Sequence, residues 1–323
     1  MPPDNPGLTV IMPVFNTARY VEKAIDSILQ QTFSDFELLI IDDGSTDNSF
    51  QVLTEYTDER IRLYRCKKNT GKVAACNSLL SDSRGKYITI HDSDDYSDLK
   101  RFEKQISFLE RNPSYAMCGT QFYEVNEKGD AARKIILETN PEKIKELIKE
   151  DSQFHGPTII IRREILEKIG GLYRNFRNKE DVDLSMRIAE KYNVINLDEY
   201  LYYYRLSPQG LSKVDFDYLR FEGLKVLQLL AQQRKASGSD CLMKGDLEEF
   251  DSLLLDIKKP YIEDPSLLYR KAISLSVYFK FWRNAFRYAF RAIVANPGKW
   301  INYREFLYVV KVSLADVIMR KSG

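Results

Sequence analysis

The stretch Lys86-Tyr87-Ile88-Thr89-Ile90-His91-Asp92-Ser93-Asp94-Asp95 decides how this chain is read. Its first half alternates and is rich in β-branched and aromatic residues, the pattern of a strand, and it ends in three carboxylates within four residues. Acids crowded at a strand's carboxyl end repel one another and gain nothing from packing. A divalent cation offsets that repulsion, because Mg2+ and Mn2+ prefer hard oxygen ligands. Held on one or two carboxylates, such a cation keeps positions open for substrate phosphates. The competing reading is a helix N-cap, with Asp94, Asp95 or Ser97 capping an amphipathic segment over 98–111. Capping accounts for one or two of the acids and leaves Asp92 unexplained, so the metal–diphosphate reading is preferred.

Working outward, the same punctuation recurs upstream. Residues 8–14 form an apolar run suited to a strand buried on both faces. Helical spacing follows over 19–31, with Val21, Ala24, Ile25, Ile28 and Leu29 on one face. A second buried strand over 36–41 stops at Asp42-Asp43-Gly44-Ser45, and Thr46 or Asp47 can cap a helix running to about residue 56. A short strand at 61–65, a turn at Asn69-Thr70-Gly71 and a helix over 72–80 lead into the acid-tipped strand. This β-α-β-α-β-α-β order predicts a doubly wound α/β sheet, whose ligands bind at the carboxyl ends of the strands. Three polar loops, after Val14, Ile41 and Ile90, fall at those ends. No G-x-G-x-x-G follows the first strand, which argues against a dinucleotide dehydrogenase. Downstream, the pattern predicts strands at 115–125, 158–161, 194–197 and 200–206 and helices at 141–149 and 180–192. From Asp215 it is mostly helical.

The chain has 323 residues, enough for one large domain and a smaller one. It is divided here into a catalytic domain over 1–210, with halves at 8–111 and 112–210, and a helical C-terminal region over 211–323. A net charge of +1 gives no global argument for nucleic acid. The four cysteines, Cys66, Cys76, Cys118 and Cys241, lack metal-ligand spacing and read as reduced thiols of a cytosolic protein. The first residues have neither a basic nor an apolar signal region, and no run of about 18 apolar residues exists to span a membrane.

Several segments together resemble the family 2 glycosyltransferases of bacterial surface-glycan synthesis. They are Thr9-Val-Ile-Met-Pro-Val-Phe-Asn16, Ile41-Asp-Asp-Gly-Ser-Thr-Asp47, Asn69-x-Gly71 with Asn77, the stretch from Gly85 to Asp95, Gly170-Gly171 and Lys179-Glu-Asp-Val-Asp-Leu184. The resemblance covers about 8–206. It implies a GT-A fold with a mixed sheet flanked by helices, inverting transfer from a nucleotide-diphosphate sugar, and a Mg2+ or Mn2+ cofactor. It places Pro13 and Phe15 against the nucleobase and lets Asp43 accept from a uracil ring N–H, with Asp42 orienting the loop; a family-neutral account of this pair is an Asx-type turn closing with Gly44. Asp92 would meet the ribose or the metal, Asp94 would ligate the metal, and Asp95 would be structural. Asp181 would be the catalytic base, with Glu180 beside it as a donor or acceptor contact and Asp183 structural. A family-neutral account of Glu180 and Asp181 is that they favour a helix N-terminus through its dipole.

Two departures from that pattern stand out. Where relatives carry an arginine before the Asn of the fourth segment, this chain has Cys76, and Lys72 is the candidate substitute. Where many carry a histidine as third metal ligand, this chain has Tyr204-Arg205-Leu206-Ser207-Pro208. The two histidines are His91, expected to pack, and His155, placed on the acceptor side as a candidate sugar contact.

Residues 266–323 are basic and aromatic, with Glu305 and Asp316 the only acids there. Basic helix faces with aromatic edges suit an anionic membrane surface, and equally a helical hairpin with a solvated face. The resulting expectation is a UDP-sugar-dependent glycosyltransferase extending a glycan or lipid-linked acceptor. It would lie in the cytoplasm or peripherally on the inner face of the membrane, with no nucleic-acid partner. The rivals are a non-catalytic sugar-nucleotide-binding scaffold and a nucleotidyltransferase, for which Asn16-Thr17-Ala18-Arg19 is a poor triphosphate loop.

Overall fold

Leu8–Val14 (β1) and Phe36–Asp42 (β2) are buried along almost their whole lengths, and that burial organises the first part of the chain. In the computed structural model, which describes residues 5–174, 179–206 and 217–321, β1 pairs in parallel with β2 on one side and with Tyr87–Ile90 (β4) on the other. Ile61–Arg65 (β3) adds to β2, also in parallel. Helices Val21–Leu29 (α1) and Arg101–Arg111 (α4) bury Ala24, Ile25, Ile28, Phe102 and Leu109 in one core with Val10, Met12 and Val14. Ser49–Thr54 (α2) contributes Leu53 to that core, and Lys72–Leu80 (α3) packs on β1 and β2. Covered strands of this kind read as continuous apolar runs, which is why they are legible in the sequence.

The sheet then changes direction. Ile160–Arg162 (β8) runs antiparallel to β4, Tyr115–Val125 (β6) antiparallel to β8, and Asn193–Arg205 (β9) parallel to β6. Among the described residues the order is β3-β2-β1-β4-β8-β6-β9-β5, with β5 at Tyr96–Ser97 and β7 at Ala131–Ile135 paired on β6. The fold is a mixed α/β sheet flanked by helices. Helices Pro141–Leu147 (α5), Arg163–Lys168 (α6) and Glu180–Ala189 (α7) complete this unit.

Several elements differ from expectation. The expected strand at 158–161 begins instead with a 3-10 turn, Gly156–Thr158, because Pro157 sets a turn conformation before the strand can start. The two expected strands at 194–197 and 200–206 are one strand, β9, irregular in register where Thr120 and Gln121 of β6 pair with Leu197 and Tyr200. Neither β5 nor β7 is readable beforehand: β5 has two residues, and β7 is largely exposed and has no apolar alternation.

The chain divides into two compact units, Met1–Gly210 and Leu211–Gly323. The second is helical throughout its described part: Tyr218–Ser237 (α8), Cys241–Lys244 (α9), Leu247–Glu263 (α10), Ser266–Tyr278 (α11), Trp282–Ala295 (α12) and Trp300–Lys321 (α13). Its core gathers Ala272, Ile273, Ala285, Tyr288, Ala289 and Val309 from the last three of these helices.

Candidate active site

Three loops at the carboxyl ends of β1, β2 and β4 are sewn together by short polar side chains. Asn16 takes a positive φ of 54°, and its Oδ1 accepts from Thr46 N at 2.8 Å. Asn tolerates that backbone better than bulkier residues do. Thr17 N donates to Ser49 Oγ, and its hydroxyl shares a hydrogen bond with Ser93 in the acid loop. Pro13 is partly covered, whereas Phe15 projects 40% exposed, an aromatic side chain that the core does not use.

Asp43 is buried and bonded on both oxygens. Oδ1 accepts from Thr70 N and Oγ1 at 2.8 and 2.7 Å, and Oδ2 accepts from Gly71 N at 2.8 Å. A carboxylate offers about four lone-pair sites, so these three bonds leave acceptor capacity on Oδ2. Asp42 closes the loop one residue later than an Asx-type turn on Gly44 would: Oδ1 accepts from Ser45 N, and Oδ2 faces Arg65 Nε across 3.2 Å as an ion pair without hydrogen-bond alignment. Gly44 has φ 73°, and a β-carbon there would lie 2.6 Å from the Lys68 carbonyl carbon. Glycine is required both for the backbone conformation and for that approach.

The turn that Asp43 holds launches α3, and its first residue, Lys72, reaches Asp92 Oδ1 at 2.5 Å. Lys72 therefore neutralises Asp92 and holds its carboxyl below the usual range against the opposing effect of burial. Asp94 is different. No other side chain donates to it among the described residues, and burial together with Asp92 pushes it up to about 6. Asp95 turns away from the loop's open side, accepting from Tyr202 Oη at 2.9 Å and Arg205 N at 2.7 Å, and it is structural. None of the acids caps α4: its N-cap is Lys100, with no side-chain bond, and Ser97 is engaged by His91 and Arg101. The capping reading of the acid cluster is therefore set aside.

Asp181 lies in the first turn of α7, and its carboxylate rests on the 3-10 turn. A β-carbon on Gly156 would lie 2.7 Å from both Asp181 Cβ and Oδ2. His155, one residue earlier, stacks on Phe122 with ring centroids 4.2 Å apart and meets Tyr204 edge-on. Its Nε2 is buried without a hydrogen-bond partner among the described residues, and burial pulls the ring down to about 4, so it is neutral at pH 7. Glu180 is pushed up to about 7 by burial and by Asp181, and Lys72 acts on it in the opposite sense.

Two further contacts hold the site: Asn77 has a motif place but no assigned role, and Asp183 is expected to be structural. Asn77 of α3 donates to Tyr173 O and accepts from Tyr173 N, tying α3 to the Gly170-Gly171 loop. Asp183 pairs with Arg174 and Arg187, and Arg187 also holds the carbonyls of Ile169 and Leu172. Both fix the approach to α7. The signal for Asn77 was its place in a motif; for Asp183 it was an acid on the buried side of a helix.

The donor set suits a hard divalent cation. Among the described residues no group of three or more His, Cys, Asp or Glu side chains closes around a metal. Asp94, however, has no cationic partner among the described residues and is raised by burial and then by Asp92's charge, a condition a cation relieves, and Mg2+ accepts one or two carboxylates with water and phosphate. At the end of β9, just before the position where the resemblance implies a histidine ligand, Arg205 donates to Asp94 O at 2.7 Å and to Glu127 O. Ser207 and Pro208 lie outside the described residues.

The mixed sheet and the polar loops at its strand ends agree with a glycosyltransferase. A family model described as Glycosyl transferase family 2 matches residues 9–170. The chain belongs to that family. The O-antigen biosynthesis glycosyltransferase WbnJ of Escherichia coli is 31% identical over 244 residues, covering 73% of this chain and 93% of that protein. The Escherichia coli enzyme WfgD, named a UDP-Glc:alpha-D-GlcNAc-diphosphoundecaprenol beta-1,3-glucosyltransferase, is 30% identical over 217 residues, covering 66% and 82%. Among solved structures, S. aureus TarS 1-349 in complex with UDP-GlcNAc aligns over 87% of this chain and 82% of its own with TM-score 0.61 and 18% identity. The Pyrobaculum calidifontis mannosyltransferase PcManGT, in complex with GDP-Man and Mn2+, aligns over 98% and 89% with TM-score 0.54 and 18% identity. These two show the shared fold.

Proposed function

We propose that this glycosyltransferase moves a sugar from UDP to a hydroxyl of a glycan or lipid-linked acceptor, with inversion at the anomeric carbon. What carries the reading is the convergence of Asp43, the Lys72–Asp92 pair, Asp94 and Asp181 at one end of one sheet. Pro13 and the exposed Phe15 flank the nucleobase, and Asp43 accepts from the ring N–H with its remaining lone pair. Asp92 and Asp94 would hold a Mg2+ or Mn2+ ion, which when bound supplies positive charge beside the diphosphate. Lys72 adds a fixed cation there.

Asp181 accepts the proton of the acceptor hydroxyl as that oxygen bonds to the anomeric carbon. The bond from that carbon to the diphosphate oxygen breaks, and UDP departs with the electron pair. The proton stays on Asp181 until solvent removes it. Neutral His155 and Glu180 border the same space and contact the sugar or acceptor hydroxyls. WfgD's diphosphoundecaprenol acceptor motivates a lipid-linked substrate for this chain too. No described helix is long and apolar enough to cross a membrane. A lipid-linked acceptor fits a location in the cytoplasm or at the anionic inner membrane surface.

Calorimetric titration of UDP with and without Mn2+ tests the donor site. Metal-dependent binding is expected for the wild type, and its loss in Asp94→Ala. Asp181→Asn should bind UDP normally and lose turnover by at least about a hundredfold. Metal-independent binding would remove the cation from the reading. Nucleotide binding with no turnover for any UDP-sugar would turn it towards the scaffold.

A further inference from the structure

The helices α12 and α13 each leave one side out of the core, and the residues there follow helical spacing. On α13 the exposed stripe runs Trp300, Arg304, Leu307, Lys311, Leu314, at steps of four, three, four and three residues. Trp300 is 72% exposed, Leu307 59% and Leu314 57%. Opposite, Asn302 and Val309 are buried. On α12 the outward residues are Arg283, Arg287, Phe290, Arg291 and Val294, while Ala285, Tyr288, Ala289 and Ala292 form the core side. α12 contains no acid at all. On α13, Glu305 is partly covered and paired with Arg304, and Asp316 is buried against Lys280 and Trp282. Both stripes are thus apolar and cationic, with no exposed carboxylate.

An apolar stripe on a helix that already has a packed core on its other side needs a partner to cover it. The charge pattern selects which one. A second copy of the same face would set Lys311 against cations, and the one nearby acid, Glu305, is already taken by Arg304. Nucleic acid would meet the arginines and leave Leu307, Leu314 and Val294 without purpose. Anionic headgroups answer the arginines and lysine, and the acyl boundary takes up the tryptophan, phenylalanine and leucines.

We infer that the outward faces of α13 and α12 form a docking surface for an anionic lipid bilayer, with α13 lying in the plane of the interface. The inference deepens the reading of a lipid-linked acceptor, because docking brings the enzyme to the surface where such an acceptor is held. Its chemistry is non-specific: basic side chains are drawn to anionic lipid, and apolar side chains gain by leaving water at the acyl boundary.

Co-sedimentation of the full chain with vesicles tests it, using phosphatidylcholine alone or mixed with phosphatidylglycerol. Binding is expected only to the mixed vesicles, and salt should release it. Two paired variants separate the contributions: Leu307→Gln with Leu314→Gln, and Arg304→Gln with Lys311→Gln. Each should weaken binding at least about tenfold, with unchanged circular dichroism and unchanged UDP binding. Wild-type protein that ignores mixed vesicles overturns the inference, as does binding indifferent to both variants. So does a dimer in light scattering that the leucine variant converts to monomer, because the occupant is then a second copy. Vesicle binding without sugar transfer to a lipid-linked acceptor leaves the surface standing and removes the acceptor reading. Transfer without vesicle binding does the reverse.

Discussion

Gly156 is where a single hydrogen atom decides the position of the proposed base. Its Cα faces Asp181 so closely that a methyl group would meet Asp181 Cβ and Oδ2 at 2.7 Å. The clash involves a β-carbon as well as the flexible carboxylate end, so rotating the carboxylate cannot relieve it. The backbone of the 3-10 turn or the first turn of α7 must move. Gly156→Ala is therefore expected to lower kcat by about a hundredfold, the usual consequence of misplacing a reacting group by about 1 Å. The KM for the UDP-sugar should change little, because the Asp43 and Lys72 contacts are elsewhere. A steady-state comparison of kcat and KM checks this, and an unchanged kcat would show that Asp181 does not depend on this seat. Asp181 and His155 were both legible as candidates in the sequence. The reason glycine separates His155 from Pro157 was not, since it depends on α7 arriving from residues far along the chain.

Element boundaries followed the same division between local and distant causes. β1, β2 and α1 were readable because burial on both faces, or one apolar stripe, writes itself into every residue of the element. β5, β7 and the single long β9 were not, because their pairing partners determine them. In the helical unit the basic-aromatic composition was plain, yet the joint that organises it was hidden. Asp264, in the break between α10 and α11, accepts from Lys299 Nζ at 2.8 Å, Arg270 Nη2 at 2.7 Å, Ser266 Oγ at 2.6 Å and Asn296 Nδ2 at 3.2 Å. It links the start of α11 to the segment joining α12 and α13. These donors outweigh the effect of burial and hold its carboxyl well below the usual aspartate range. The sign follows directly: the folded state binds this proton more weakly than the unfolded chain does. The stabilisation is complete above the unfolded value of about 4 and is lost as pH falls towards the folded value. Asp264→Asn should cost roughly 1.5–3 kcal/mol at pH 7. The gap from wild type should narrow at about pH 3. Urea denaturation followed by circular dichroism at the two pH values measures it. An equal gap at both would mean the charge is not what Asp264 contributes.

At the scale of the whole catalytic unit, the sheet passes from four parallel strands to antiparallel and mixed pairing at β4 and β8, and the proposed site sits across that change. The donor-side residues come from β1, β2, α3 and the loop after β4. The proposed base comes from α7, and the seat beneath it comes from the turn before β8. One fully buried arginine is among the links between the two sides. Arg101 donates to Thr89 Oγ1 on β4, Ser97 Oγ on β5, Gln105 Oε1 on α4 and Pro157 O in the turn, the last at 2.5 Å. Gln105 extends the network to Thr158 O and Cys118 O. Among the described residues no carboxylate pairs with the guanidinium, and burial pulls it down to about 10, so it remains charged at pH 7 and lies in the field of Asp95. A sequence reading could not find it: an arginine at the start of an amphipathic helix looks like a solvated residue. Replacing it with methionine fills much of the same volume but leaves four acceptors without their donor. Arg101→Met should cost about 3–5 kcal/mol in denaturant unfolding. Arg101→Lys keeps the charge with fewer, differently directed donors and should fall between methionine and wild type. If the arginine also holds the turn under Asp181, the lysine variant should lose kcat more than it gains in donor KM. A lysine variant with full stability and reduced kcat would assign Arg101 to positioning alone. Full stability together with full kcat would mean that the two sides of the unit are held in register by the sheet and not by this arginine.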